Sequence, residues 1–127
     1  GFVGGSMGDN SVIIEGVDSQ ESQLALYSTV HGAGRVMSRT LAAGRSRWRK
    51  GKKTVIKDGP ISRKRMQDSV DQRGVALRGA GTDESPHCYK RLDEVLGFHR
   101  NTIRILHTLR PIGVAMAGAD VFDPYKD

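Results

Sequence analysis

The chain has 127 residues, of which 37% are hydrophobic and 27% charged, and its formal net charge is +6 with a pI near 9.8. These values are typical of one globular domain or part of one, and they argue against a disordered or membrane protein. No apolar run approaches the roughly 20 residues of a transmembrane helix, and the single cysteine, Cys88, excludes an intrachain disulfide. We therefore expect a soluble, cytoplasmic protein with no membrane contact.

The first third of the sequence predicts a strand, a helical turn and a glycine-rich turn that leads into a helix. It starts inside a glycine-rich pattern without an initiator methionine, so we expect it to be part of a longer chain. Residues 11–15 are a β-branched apolar run, which predicts a buried strand. A helical turn over 21–26 and an extended segment over 27–30 should follow. The turn at 32–34 precedes apolar residues at helical spacing, which predicts a helix ending near Gly44.

The remainder predicts a basic hairpin or loop, two further helices and short strands. Glycine at position 51 marks the expected turn of the basic segment. We expect, in chain order, a helix from a Ser62 cap to Gly74, a strand over 75–77, a helix through Tyr89 and Leu96, a strand over 103–110 and an extended segment over 112–116. These elements predict an α+β fold, with a mixed β-sheet core and flanking helices.

Positive charge is concentrated in the middle of the chain. Between Arg35 and Arg65 there are ten further Lys and Arg residues and one acid, Asp58. Such a segment is typical of a surface that contacts a phosphate backbone, and it is also compatible with a solvated loop. Trp48, inside the segment, could stack on a base or anchor the loop.

The strongest local pattern is the glycine turn that follows His31. Gly32 and Gly34 would let a ligand approach the backbone, and a helix beginning here would direct N–H groups at a phosphate. Arg35 and Arg39, four apart, would share a face of that helix and hold phosphate oxygens. A neutral imidazole is a competent nucleophile near pH 7. On the pattern alone, a histidine beside a glycine turn is more often structural than nucleophilic.

Weaker patterns lie on either side of this turn. The glycine-rich residues 4–11 could form a phosphate-binding loop or a tight turn before a strand. Tyr89 could stack on a ligand or belong to the core. The four His and Cys residues after position 86 lack metal-ligand spacing, so no metal site is predicted among them. Adjacent acids such as Asp83 and Glu84 should point to different faces, and no catalytic role is assigned to them.

Four segments in the same order resemble the C-terminal third of the RtcB-type RNA-splicing ligases. They are Gly5-Ser6-Met7-Gly8 with Ser11, the nine residues from His31 to Arg39, Asp83-Glu84-Ser85-Pro86 with Tyr89-Lys90, and Arg110-Pro111-Ile112-Gly113-Val114. The resemblance covers nearly the whole chain. It implies that residues 1–127 form the C-terminal portion of a single RtcB-like catalytic domain, in which some apolar edges would be unpaired.

The resemblance implies a ligase that uses GTP and Mn²⁺ to join a 2′,3′-cyclic-phosphate or 3′-phosphate RNA end to a 5′-hydroxyl end, in tRNA splicing or RNA repair. The histidine matching His31 would take up GMP from GTP. The metal ligands of the family lie upstream of the region present here, so the resemblance implies that this chain alone is inactive. Its implied partners are RNA, including broken or spliced tRNA ends, and an archease-like activator.

The resemblance also implies roles for individual residues. Those expected to contact the nucleotide are Ser6, Ser11, Gly32, Ala33, Gly34 and Tyr89, and those expected to bind RNA or phosphate are Arg35 and Arg39. The lysine that usually follows the family's final strand is replaced by Met116. Lys126, further along the tail, is the candidate substitute. An RNA-binding module that has lost catalysis, and a regulatory nucleotide-binding domain, remain the alternative interpretations.

Overall fold

A computed structural model describes residues 1–118 and residue 121, with the exception of the Trp48 side chain. The predictions for Trp48 stacking and for Lys126 therefore fall outside what is described. The strands are β1 (Phe2–Val3), β2 (Ser11–Gly16), β3 (Gly44–Arg49), β4 (Lys52–Asp58), β5 (Ala76–Ala80), β6 (Ile103–Leu109) and β7 (Gly113–Gly118). The α-helices are α1 (Gln20–Leu24), α2 (Arg39–Ala43), α3 (Arg63–Asp71) and α4 (Leu92–Gly97), and two 3₁₀ turns span Thr82–Glu84 and Pro86–Cys88.

The first sheet is antiparallel, in the order β1-β2-β6. Alternation along β2 buries Val12 and Ile14, which pack with Leu92 and Leu96 of α4 in one core cluster. Among the described residues β6 pairs with β2 alone, and several of its apolar side chains are about half exposed. The predicted strands at 11–15 and 103–110 are confirmed, and β6 leaves an apolar edge of the first sheet exposed.

A second core cluster lies between α3 and the parallel pair of β5 and β7. Met66 and Val70 on α3 are fully buried there, together with Cys88. The Ser62 hydroxyl accepts a hydrogen bond from the Arg65 amide, so the predicted cap is confirmed. The α+β class is confirmed, with the strands distributed over three separate sheets. No helix in the described part of the chain is long and apolar enough to span a bilayer.

The basic segment is a two-stranded antiparallel ribbon of β3 and β4, which confirms the hairpin around Gly51. Its base is fixed to the body, because Gly44 pairs with Asp58 and the next residue, Gly59, lies against α2. A Cβ atom on Gly59 would lie 1.9 Å from the Ala42 carbonyl oxygen, so glycine is required at this contact. The ribbon therefore leaves the body directly at the end of α2.

The helix predicted directly after the glycine turn begins about one helical turn later than expected. α2 begins at Arg39, with Ser38 as its N-cap, and Arg35 instead forms an isolated antiparallel bridge with Tyr89. The Val36 amide donates to the Cys88 carbonyl, so this backbone is bonded to a distant segment and not to a helical turn.

Two other local expectations fail for related reasons. The predicted helix through Tyr89 starts only at Leu92, since Tyr89 is extended in its bridge with Arg35. Tyr27, expected to be extended, has a φ of 54° and lies in the left-handed region just after α1. Its amide closes this turn by donating to the Ser22 carbonyl.

Candidate functional site

Three of the segments singled out in the sequence meet around the glycine turn after His31. The Ala33 amide donates to the Gly4 carbonyl at 3.2 Å, and Gly32 and Gly4 form a parallel bridge. On the other side, the Lys90 amide donates to the Gly34 carbonyl at 3.0 Å. The turn is thereby held between the N-terminal glycine loop and the Tyr89 segment, which are far apart in sequence.

His31 is exposed at the start of this turn, whereas Ala33 is buried in the core beneath the first sheet. Gly34 has a φ of 76°, so the chain reverses here in a conformation that favours glycine. The predicted phosphate site at a helix N-terminus is wrong, because α2 starts only at Arg39. The turn presents an exposed imidazole on a backbone fixed by hydrogen bonds at both ends.

Glu84 is the acidic centre of the site. Its carboxylate accepts from Arg39 Nε at 2.9 Å and from the Tyr89 hydroxyl, and it lies 3.6 Å from Arg35 Nη1. The Glu84 side chain is only 17% exposed, which strengthens these charged contacts relative to surface pairs. Sequence reasoning assigned Glu84 no role, although its place in the segment shared with Tyr89 was a usable signal.

Arg35 donates from all three of its guanidinium nitrogens, and two of them join the glycine turn to the Tyr89 segment. Nε donates to the Met37 carbonyl at 3.0 Å, Nη1 to the Tyr89 hydroxyl at 2.7 Å and Nη2 to the Asp83 carbonyl at 2.6 Å. The guanidinium carbon lies 4.7 Å from the centre of the Tyr89 ring. The prediction that Arg35 and Arg39 share one face of a helix is wrong, because Arg35 lies outside α2. Glu84 nevertheless brings the two guanidinium groups together.

Burial, and next its hydrogen bond to Glu84, raise the pKa of Tyr89 from its ordinary value of 10.0 to about 12. The neutral phenol is therefore favoured in the folded protein. Its contribution to stability is complete below pH 10 and is lost only as the pH rises through the folded pKa. Near neutral pH Tyr89 stays a hydrogen-bond donor to Glu84.

The N-terminal glycine loop forms the tight turn that was one of its two interpretations. The Ser6 hydroxyl donates to Asp9 Oδ2 at 3.2 Å, and the Asp9 amide donates to the Ser6 carbonyl at 2.9 Å. Asp9 is buried and accepts from Arg73 Nη1 at 2.5 Å. Its other cationic neighbour is Arg91, at 3.5 Å. These contacts fix the loop beside the first sheet.

We call the contacts of Glu84 with Arg35, Arg39 and Tyr89 the Glu84 junction. A cavity of about 310 Å³ opens between the N-terminal glycine loop and this junction. Its polar lining includes Ser6, Ser11, Glu84 and Tyr89, and its wall includes Met116. Three residues predicted to contact a nucleotide, Ser6, Ser11 and Tyr89, are thus brought to one concave surface of a size found in ligand sites. His31 is not among the lining residues, and Met116 contributes an uncharged thioether to the wall.

No group of three or more His, Cys, Asp or Glu side chains converges into a metal site within residues 1–118 and 121. The described residues do not fit a manganese centre by themselves. The sole cysteine, Cys88, lies in the second core cluster with its thiol 3.5 Å from the Thr82 carbonyl, and burial raises its pKa.

Comparison with known proteins agrees with the geometry. The family model for tRNA-splicing ligase RtcB matches residues 1–117. The RNA-splicing ligase RtcB of Escherichia coli strain K12 is 35% identical over 112 residues, which is 88% of this chain and 23% of the relative. The tRNA-splicing ligase RtcB of Pyrococcus furiosus is 30% identical over 120 residues, covering 90% of this chain and 11% of the relative.

A third relative, the RNA-splicing ligase RtcB of Mycobacterium tuberculosis, is 35% identical over 95 residues, or 75% of this chain and 19% of the relative. The chain therefore spans less than a quarter of the length of these relatives. The family match nevertheless covers the glycine loop, the His31 turn, the Tyr89 segment and most of β7. The chain belongs to the tRNA-splicing ligase RtcB family.

Proposed function

We propose that this chain is the histidine-bearing, C-terminal part of an RNA ligase that joins 2′,3′-cyclic-phosphate or 3′-phosphate RNA ends to 5′-hydroxyl ends. The observation that carries the proposal is the meeting of three family segments at the His31 turn. The adjacent cavity, lined by Ser6, Ser11, Glu84 and Tyr89, supports a nucleotide site beside that turn. Substrates of this class include broken or spliced tRNA, and an archease-like protein is a proposed activator.

In the proposed reaction the neutral imidazole of His31 attacks the α-phosphorus of GTP, forming a P–N bond as pyrophosphate leaves. A 2′,3′-cyclic phosphate is first opened by water, which breaks the P–O2′ bond and leaves a 3′-phosphate. The GMP group then passes to the 3′-phosphate of RNA, which regenerates the imidazole and activates the phosphate. Attack by the 5′-hydroxyl forms the phosphodiester and releases GMP. Each transfer replaces a poor leaving group by a better one, which is the general advantage of covalent catalysis.

The residues of this chain would position these groups. The hydroxyls at the cavity and the Glu84 carboxylate offer hydrogen bonds to a nucleotide, and the bonded glycine turn fixes the position from which His31 reacts. Arg39 is bonded to Glu84, which lines the cavity, so an incoming phosphate could compete with Glu84 for its guanidinium. Manganese would be held by residues outside the described part of the chain.

The proposal is tested by labelling with α-³²P-GTP and Mn²⁺, followed by denaturing gel analysis. We expect the full-length ligase to acquire label, His31→Ala to lose it completely, and His107→Ala, which removes another exposed histidine on β6, to keep it. Label retained by His31→Ala would contradict the proposal. The 127-residue chain alone should stay unlabelled, and a His31-dependent band from it would refute the requirement for upstream metal ligands.

Lys126 is the proposed substitute for the missing lysine at the cavity. Met116 lines the cavity and carries no charge, so a lysine that contacts the nucleotide would have to come from elsewhere in the chain. We expect Lys126→Ala to reduce guanylylation of the full-length ligase about tenfold, the cost of roughly one charge-assisted hydrogen bond. The matched control is Lys64→Ala, which removes an exposed lysine from α3, and equal labelling by both variants would exclude Lys126.

A second candidate function is RNA binding without catalysis, which the exposed basic ribbon favours. The two are separated by His31→Ala: a ligase loses joining, whereas a binding module keeps its RNA affinity and salt dependence.

A further inference from the structure

The pairing of β3 with β4 sorts the basic residues of the ribbon onto one face. Residues opposite each other in an antiparallel pair share a face, and alternate residues along a strand do so too. Arg49 lies opposite Lys52, and Arg45 lies opposite Lys57, with Arg47 between them on the same strand. We call these five residues, Arg45, Arg47, Arg49, Lys52 and Lys57, the cationic face.

A register shift between Arg45 and Ser46 completes this face. Lys52 and Thr54 are two residues apart on β4 and lie on the same face as Arg49 and Arg47. Without a bulge, Lys57 would point to the opposite face. The extra residue in β4 restores Lys57 to the side of Arg45. The other face carries Ser46, Lys53 and Val55, so the charge is strongly one-sided.

This arrangement is unfavourable for the ribbon itself. Like charges directly opposite each other destabilise a strand pair, and two such pairs, Arg45 with Lys57 and Arg49 with Lys52, lie on this face. All five side chains are exposed, and none forms an ion pair with a described residue. The protein thus keeps a row of cations that neither packing nor internal pairing accounts for.

We propose that the cationic face binds the phosphate backbone of the RNA substrate, away from the reacting ends and without reading its sequence. The inference rests on the proposed function and names the surface that carries the RNA. Alternate residues on a strand are about 6.8 Å apart, which is comparable with the spacing of successive phosphates along an extended nucleic-acid strand. Evenly spaced cations therefore match a linear polyanion better than a compact acidic patch.

The position of the ribbon connects this surface to the candidate active site. α2 begins at Arg39, whose guanidinium contacts Glu84, and β3 follows α2 without an intervening loop. A six-residue strand extends about 20 Å, so the cationic face leads outward from the site. RNA lying along it would have one end near the His31 turn and would be held by several phosphates.

The test compares two triple variants of the full-length ligase. One, Arg45→Gln with Arg47→Gln and Arg49→Gln, removes three cations from the face. The control, Arg63→Gln with Arg65→Gln and Arg78→Gln, removes three exposed arginines from α3 and β5. Affinity for an unstructured fluorescein-labelled RNA is measured between 50 and 200 mM salt, concentrations over which phosphate contacts are resolved. Guanylylation, which needs no RNA, and thermal unfolding are measured on the same samples.

We expect the ribbon variant to bind RNA at least tenfold more weakly, and the slope of log K against log salt to fall by about 2, for three lost contacts to single-stranded RNA. The control should keep both values. The ribbon variant should unfold at an unchanged or higher temperature, because cross-strand repulsion is relieved.

Unchanged RNA affinity in the ribbon variant would overturn the inference, and so would equal losses in the two variants. Binding of the wild type to anionic vesicles, but not to RNA, would assign the face to a membrane and also overturn it. Failure of the proposed function is distinguishable, because absent guanylylation with ribbon-dependent RNA binding would refute the ligase and leave the RNA surface intact.

Discussion

Replacing Glu84 by alanine is expected to lower the free energy of unfolding by about 2–3 kcal/mol. The carboxylate accepts from Arg39 and Tyr89 and pairs with Arg35, so its loss leaves two guanidinium groups and a hydroxyl without their shared acceptor. The value lies below the usual cost for a fully buried pair because Arg39 is 37% exposed and water can reach it. Urea unfolding of the protein would measure the change.

Two variants separate the role of Glu84 from the general effect of removing an acid. Glu84→Gln keeps an acceptor oxygen but loses the charge, so its free energy of unfolding should lie between those of the wild type and Glu84→Ala. Glu94→Ala removes an exposed acid from α4 and should change stability by less than about 0.5 kcal/mol. Equal stability of Glu84→Ala and Glu94→Ala would mean that the junction adds nothing to the fold.

Replacing Met66 by alanine is expected to cost about 2–5 kcal/mol, the largest stability loss predicted here. Met66 is fully buried on α3, where it packs with Ile61, Val70 and Cys88. Truncation removes buried apolar surface and leaves a cavity that the surrounding strands and helix fill only in part. The midpoint of urea unfolding should fall while the slope stays unchanged, since the exposed area on unfolding is nearly the same.

Two further variants test whether the stability loss comes from the lost volume of the Met66 side chain and from its buried position on α3. Met66→Leu conserves volume and should cost less than about 1.5 kcal/mol, and Arg63→Ala, on the exposed side of the same helix, should be close to neutral. A Met66→Ala protein as stable as Met66→Leu would show that α3 does not form a core with β5 and β7.

Several local elements could be predicted from the sequence because their causes lie within a few residues. A β-branched apolar run specifies β2, and the Ser62 hydroxyl fixes the start of α3. Gly51, with a φ of 73°, closes the β3–β4 hairpin. In each case the side-chain pattern and the backbone preference favour the same structure.

The starts of the helices near the site could not be predicted in this way. The residues after Gly34 have helical spacing, but Val36 donates its amide to Cys88, more than fifty residues away. The same cause applies to Tyr89, because its bridge with Arg35 holds it extended although apolar residues at helical spacing follow it. A backbone group bonded to a distant segment is unavailable to a helix, and local spacing carries no information about that partner.

The sequence by itself determined the family, the segments that carry it, and His31 as the candidate nucleophile, because these depend on residue identity and order. Only the tertiary structure decided that Glu84 is the common partner of Arg35, Arg39 and Tyr89. The strand pairing, with its bulge, likewise decided that five basic residues of the ribbon share one face. Both depend on pairing and register between separated segments. Such contacts are fixed by packing and hydrogen bonding across the fold, and not by the neighbours of each residue along the chain.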